Sequence, residues 1–399
     1  MLDGVRVLDL TQYLSGPTAS LLLAGMGAEV IKIEPAPGGD AARQLPIIEG
    51  GTSSYFVQQG RGKKSVCLDL GSDEGCRIVA ELAGECDVLV ENFGHGVLEK
   101  RGLDHTTLRT AYPELIYASI SAFGRTGSMA HLPGYDLIGQ AFGGAVALTG
   151  EPDGSPIASA APIADVGAGY MAFAGIGHAL FDRTRTGQGR WLDVSMVESV
   201  FMMHPFQIQG PSVSGGKKRL RRSGRHFGSV PPAGTYRGPE GWLVLQVLAP
   251  QWKRLCEAAA AIDLASDERF TTQRGRADHR DDLVEILENW MQTFPSDQAL
   301  MAHLEAHRVP AGRVIDPADA HEIDWFWERG AIAEVEDPIF GSVRVPGFPI
   351  HVDGEALSPH LPVPRLGQHN EAILGGVLGY DTDRLDQLRA DGVLLEGDQ

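Results

Sequence analysis

Apolar positions in the first 125 residues fall into short, β-branched runs separated by helical stretches. "VRVLDL" (5–10), "EVIKIE" (29–34), "SVCLDL" (65–70), "CDVLVENF" (86–93) and "LIYASISAFG" (115–124) each predict a buried strand. Between the first two, "PTASLLLAGMGA" places Pro17 in a first helical turn and Gly25 and Gly27 at its end. Ser72 is placed to cap "SDEGCRIVAELAGE", with Gly75 where a capping box would carry Glu. Strands alternating with helices predict βαβ units and a parallel sheet.

The pattern changes after that. "APIADVGAGYMAFAGIGHALF" (161–181) is apolar on almost every face and predicts a buried helix, followed by a strand in "RWLDVSM" (190–196). A Gly/Ser-rich basic loop, "GPSVSGGKKRLRRSGRHFGS" (210–229), comes next, then a hairpin in "TYRGPEGWLVLQV" (235–247). Helical patterns follow in "PQWKRLCEAAAAI" and "RDDLVEILENWMQTF". The C-terminal "GQHNEAILGGVLG" predicts a helix that returns to the first lobe. The expected organisation is a large lobe of residues 1–200 with 350–399, a linker at 201–229, and a small α+β lobe at 230–349. The fold class is α/β, a Rossmann-like parallel-sheet domain with a smaller α+β domain.

Composition narrows the function. A net charge of −18 argues against general nucleic-acid binding, which needs a basic footprint. The four cysteines, Cys67, Cys76, Cys86 and Cys256, form no C-x-x-C pair, which fits a reducing cytoplasm and argues against zinc. "MLDGVRVLDLT" does not read as a signal peptide, and no apolar run is long enough to span a membrane, so no membrane partner is expected.

Most familiar motifs are absent. Glu34 ends the second strand where dehydrogenases hold a ribose, but "TQYLSGP" replaces G-x-G-x-x-G after the first strand. There is no P-loop and no G-x-S-x-G. "HLEAH" (303–307) has its Glu at the wrong offset for a zinc peptidase and predicts a solvated face. "KKRLRR" (217–222) predicts a solvated loop, since charge runs usually face water.

Asp165 stands before the apolar helix. Capping is its plain reading, because Asp is a preferred N-cap. A carboxylate at a positive helix end is expected to stay ionised and can serve as a nucleophile, so the two roles are compatible. Gly167 and Gly169 are expected to leave open space beside it, and the helix donors are expected to suit an oxyanion.

"LDGVRVLDLT", "GAEVIKIEPAPGGDAAR", "GRGKKSVCLDL", "DVLVENFGHGVLEKRGL", "PGYDLIGQAFGGAVALTGEPDGSP", "IADVGAGYMA" and "RLGQHNEAILGGVLG" occur in order. Together they resemble the class III CoA-transferase family, which includes the α-methylacyl-CoA racemases. The resemblance runs over nearly the whole chain. It implies an interlocked homodimer and coenzyme A as a substrate and product, with no permanently bound cofactor and no metal. It implies an acyl-CoA and a carboxylic acid as partners, and Asp165 as the residue that carries CoA through a mixed anhydride and an aspartyl-CoA thioester.

The same resemblance implies CoA contacts from Gln12, Tyr13, Leu14 and Ser15, from Arg43, Lys63 and Lys64, and from Asn92, Phe93, Lys100 and Arg101. Tyr135 and Asp136 are implied at the acyl site. The chain departs from the pattern at Gly94-His95, where Arg-Pro is common. "RHFGSVPPAG" (225–234) lacks the glycine run of the formyl and oxalyl transferases, which favours a larger acyl group. "GYD" (134–136) stands where the racemases carry "GHD", and Tyr135 is a poor base at neutral pH. Racemisation and intramolecular CoA transfer on a dicarboxylate remain the alternatives to exchange between two molecules.

Overall fold

The computed structural model describes residues 1–49, 52–227, 230–337, 339–357 and 361–397. Gly228 and Ser229, within two of the runs quoted above, lie outside them. Six strands form a parallel sheet: β1 (Arg6–Asp9), β2 (Glu29–Pro35), β3 (Lys63–Leu68), β4 (Val88–Glu91), β5 (Ile116–Ser121) and β6 (Trp191–Ser195). Their spatial order is β3-β2-β1-β4-β5-β6. The order reverses between β1 and β4, and ligands of open α/β sheets collect at the carboxyl ends of such a switch point.

Alternation along each strand builds two cores. Leu8, Ile31, Leu89 and Tyr117 face one cluster, which also takes Ile373 and Leu374. Those two belong to the helix Asn370–Leu378, so the C-terminal helix does return to the first lobe, and its Asn370 Oδ1 accepts from Cys67 N at 3.0 Å. Val7, Val30, Val90 and Ile120 face the other cluster, shared with helices α1 (Ser15–Gly25) and α3 (Ile163–Thr186). Helix α2 (Asp136–Phe142) packs on α3, where a Cβ on Gly139 would sit 2.6 Å from that of Ala164. Ser72 caps its helix as expected, accepting from Gly75 N at 3.0 Å. Glycine is required at 75 because a Cβ there would lie 2.0 Å from Asp69 O.

By internal contacts the chain divides into two units. One is 1–145, 159–205 and 323–399; the other is 146–158 and 206–322. This differs from the sequence-based boundaries at both ends of the small lobe. The hairpin Ile332–Asp337 and Gly341–Pro346 joins the large unit, because Ala333, Val335 and Val345 bury against Ala42, Phe56 and Val57. Residues 146–158 go with the second unit, where Arg222 donates to the carbonyls of Glu151 and Gly154.

The second unit is a three-stranded antiparallel sheet (Ala233–Arg237, Trp242–Gln246, Ala311–Arg313) with helices Ala249–Ala258, Arg280–Met291 and Asp297–Ala306. Lys217 to Arg221 of its basic run are exposed. The His303 and His307 face is partly buried rather than solvated, since His303 packs against Trp290 and Phe294 and reaches Ala258 O. Among the described residues, no His, Cys, Asp and Glu side chains group as a metal site, and no helix is long and apolar enough to cross a membrane.

Candidate active site

The loop after β1 lies at the switch point and is held from both sides. Asn92, just past β4, accepts from Gln12 N at 2.8 Å and donates back to Gln12 O at 2.8 Å. Its amide also donates to Ser15 Oγ at 3.3 Å. Tyr13 has φ of 65°, a strained value for a bulky residue. Its N–H donates to buried Asp40 at 3.1 Å, which holds the turn. Ser15 then opens α1 and is buried.

Asp165 sits in the third position of α3, inside the first turn. It is therefore not the cap. That role falls to Asp136, whose Oδ1 accepts from Ala164 N at 2.9 Å and Asp165 N at 3.2 Å. Gln140 steadies Asp136 by donating to Oδ2 at 2.7 Å. A carboxylate on one helix thus occupies the free donors of another, so those two N–H groups are not available to an oxyanion.

Two forces push the Asp165 carboxyl up to about 6: burial first, then the like charge of Asp136, with a hydrogen bond from Ser15 pulling the other way. The helix end thus does not lower this carboxyl, which nevertheless stays largely ionised at neutral pH. The expectation of open space beside it is corrected. A Cβ on Gly169 would lie 2.7 Å from Ser15 O and 2.8 Å from Thr18 Cβ, and one on Gly167 2.9 Å from Met203 Cε. Gly169 lets α3 close onto α1, where Ser15 reaches Asp165, and Gly167 lets Met203 close onto α3.

Three tyrosines lie on the elements that carry these residues. Tyr13 and Tyr135 meet edge to face with centroids 5.9 Å apart, and Tyr135 is 68% exposed. Tyr55 lies close enough that burial and then the Asp165 charge raise its hydroxyl pKa.

The basic residues divide. Arg43 is buried, pairs with Glu34 through Nε at 2.7 Å and Nη2 at 2.8 Å, and stacks on Phe56. Glu34 is therefore an ion-pair partner and not a ribose holder. Lys63 is fully buried against Asp9 at 3.0 Å, with Ser20 and Pro17 O completing its shell. The three donors of Lys63 are thereby all used, whereas the bonds of Arg43 go through Nε and Nη2, the latter also reaching Pro364 O at 3.1 Å. Lys64 is 45% exposed at the side chain and pairs with Glu29. Lys100 is exposed, and Arg101 donates to Leu70 O and Val97 O. These two line a cavity of about 500 Å³ with Leu70, Ser72, Cys76 and Arg77, beyond the ends of β3 and β4. Phe93 is partly buried, its carbonyl held by Arg125 at 2.8 Å.

A family model described as CoA-transferase family III matches residues 2–370. This chain belongs to that family. It is 33% identical over 395 residues to a succinyl-CoA:glutarate CoA-transferase of Mus musculus, covering 98% of this chain and 90% of that one. It is 32% identical over 410 residues to a formyl-CoA:oxalate CoA-transferase of Streptomyces coelicolor, covering 98% and 99%. Among solved structures, a CAIB/BAIF family protein from Brucella suis superposes with a TM-score of 0.83 at 32% identity, covering 94% of this chain and 99% of that one.

Against that family background, the sequence-derived set is gathered in part. The Gln12–Ser15 loop, Asn92, Tyr135, Asp136 and Asp165 are linked by hydrogen bonds, helix capping and ring contact. Sequence reasoning misses Tyr55, Gln58, Gln59 and Arg61. The signal for Arg61 lies in "GRGKK", the string that also carries Lys63 and Lys64. Lysine pairs draw attention as phosphate ligands, whereas a lone arginine between glycines reads as solvent-facing until its burial is known.

Proposed function

We propose that this protein transfers CoA from an acyl-CoA to a carboxylic acid, with Asp165 as the covalent carrier. The supporting observation is the raised carboxyl of Asp165, held by burial beside Asp136 and Ser15 at the carboxyl edge of the sheet. Its oxygen attacks the thioester carbonyl and expels CoA thiolate, giving a mixed anhydride. The thiolate attacks the Asp165 carbonyl and releases the donor as a free carboxylate. The acceptor carboxylate then attacks the aspartyl-CoA thioester, and returning thiolate takes the acceptor acyl group and frees Asp165. No water enters, so the thioester bond energy is conserved.

The Gln12–Ser15 loop and Asn92 would flank the pantetheine arm, with Phe93 beside it. The cavity at Lys100 and Arg101 would take the charged nucleotide end, which carries about four negative charges. Tyr13, Tyr55 and Tyr135 would wall the acyl group. A homodimer fits the apolar side chains left exposed on Asp136–Phe142 and Met196–Met202, including Leu137, Phe142, Phe201 and Met202. A cytoplasmic location fits four cysteines with no disulfide.

The test is a panel of acyl-CoAs against a panel of free acids, followed by mass spectrometry of the CoA esters. The wild type makes the acceptor's CoA ester without net hydrolysis, and Asp165→Ala makes none. Undiminished exchange by Asp165→Ala overturns the covalent role.

A further inference from the structure

Arg61 follows the helix Ser54–Gly60 and is 3% exposed. Its Nη2 donates to Pro346 O at 2.7 Å, but Nε and Nη1 have no partner. Burial, with no neighbouring charge to offset it, brings its pKa down to about 10. Leaving donors of a buried cation empty is costly, and a ligand that fills them removes the cost.

Arg61 lines a cavity of about 440 Å³. Three other buried polar atoms of its lining residues are open too: Gln58 Oε1, Gln59 Oε1 and His351 Nδ1 have no hydrogen-bond partner. A second arginine, Arg329, is exposed at the rim. Among the described residues, no Asp or Glu lines the cavity, in a chain whose net charge is −18. Such a pocket favours an anion.

Its position relates it to Asp165. Val166, the next residue on α3, lines it, and so does Tyr170. On α1, Thr18 lines it one turn beyond Ser15, the hydrogen-bond partner of the Asp165 carboxylate. On the third wall, Tyr55 lies in the field of Asp165 while Gln58 faces the cavity one turn on. The cavity therefore opens about one helical turn, roughly 5 Å, along the seam from the nucleophile. A saturated diacid of about four or five carbons bridges that gap.

We propose that this cavity receives the distal carboxylate of a dicarboxylic acyl group, with Arg61 as its counter-ion. The enzyme thereby selects dicarboxylic donors and acceptors over monocarboxylic ones of the same length. The assignment rests on Asp165 as the point of transfer.

Succinyl-CoA with glutarate, and butyryl-CoA with valerate, differ in a carboxylate replaced by methyl. The wild type favours the dicarboxylic pair in kcat/KM by about 100-fold or more. Arg61→Met abolishes that preference by losing far more activity on the dicarboxylic pair than on butyryl-CoA and valerate. Arg61→Lys recovers part of the preference. Independently of turnover, glutarate raises the Tm of the wild type and valerate does not, a comparison that stands if Arg61→Met fails to fold. Equal use of both pairs by the wild type, equal losses on both in Arg61→Met, or no difference between the two acids in Tm overturns the assignment. If no acyl-CoA of either kind turns over, the transfer reading falls, and the glutarate and valerate comparison still decides the cavity.

Discussion

Two groups of buried charges lie near the carboxyl edge of the sheet and are treated in opposite ways. Under the β1 loop, Asp9 with Lys63, Asp40 with Lys32 and Glu34 with Arg43 are all paired at 2.7–3.0 Å, with side chains no more than 5% exposed. Burial would raise the Asp9 carboxyl, but Lys32 and Lys63 overrule it and hold it well below the usual range. Glu34 is likewise held down, because Arg43 outweighs burial. At the α1–α3 seam and the helix Ser54–Gly60 beside it, Asp165 and Arg61 have no such counter-charge among the described residues. Asp165 faces another carboxylate, and Arg61 has none. The paired group holds the loop in place. The unpaired one stores unmet interactions that a substrate can satisfy.

The largest expected effect comes from removing the anion. Asp165→Asn lowers kcat by roughly 10⁴-fold or more, as loss of a covalent nucleophile does. The same variant is more stable than the wild type at pH 7.5, by up to about 3 kcal/mol, since ionised Asp165 is disfavoured by folding. The sign follows from the raised pKa. The penalty is absent below about pH 4, grows as pH rises towards 6, and is complete above it. Urea unfolding of both proteins at pH 4.5 and 7.5 measures this gap.

Glu34→Ala does the reverse. It strands Arg43 in the interior and costs about 3–5 kcal/mol, seen as a lower urea midpoint. Because Asp9 and Glu34 have depressed pKa values, their stabilisation is complete above about pH 4 and is lost as pH falls further. The two groups thus respond to pH with opposite signs.

Gly169→Ala forces a methyl against Ser15 O and Thr18, and is expected to cost about 1–3 kcal/mol and to lower kcat together with stability. On the same helix, Gly177 has nothing within 4 Å of an added Cβ. Gly177→Ala gains about 0.5–1 kcal/mol and leaves kcat unchanged.

The smallest effect lies in the pH profile. Turnover rises with pH through about 6 as Asp165 loses its proton. Asp136→Asn keeps an acceptor for the helix donors but removes the like charge, so the acidic limb moves to lower pH by less than about one unit. An acidic limb that stays in place would deny Asp136 its electrostatic part.

The first five parallel strands were legible from short apolar runs, because a buried parallel strand writes its burial continuously along the chain, whereas the sixth, partly buried at Trp191–Val194, was legible only as a strand after the apolar helix. The return of the C-terminal helix was legible from "NEAILGGVL", whose apolar residues need a partner. The small-lobe boundary was not, since the hairpin at 332–346 takes its partners from Phe56 and Val57, far away in sequence. Asp165 stood out as a lone acid in an apolar run. Its capping by Asp136 did not, because a cap from another helix leaves no local spacing to read. The burial of Arg43 and Lys63 was not legible for a related reason: composition shows a cation but not the carboxylate that pairs with it in the interior.

The covalent role of Asp165 is tested most directly by mass. The protein is incubated with a turning-over acyl-CoA and quenched with hydroxylamine, and the peptide spanning α3 is sequenced by tandem mass spectrometry. A hydroxamate on Asp165, formed only when acyl-CoA is present, is the predicted result. An unmodified Asp165 in every such peptide, while the acceptor's CoA ester accumulates, would contradict it.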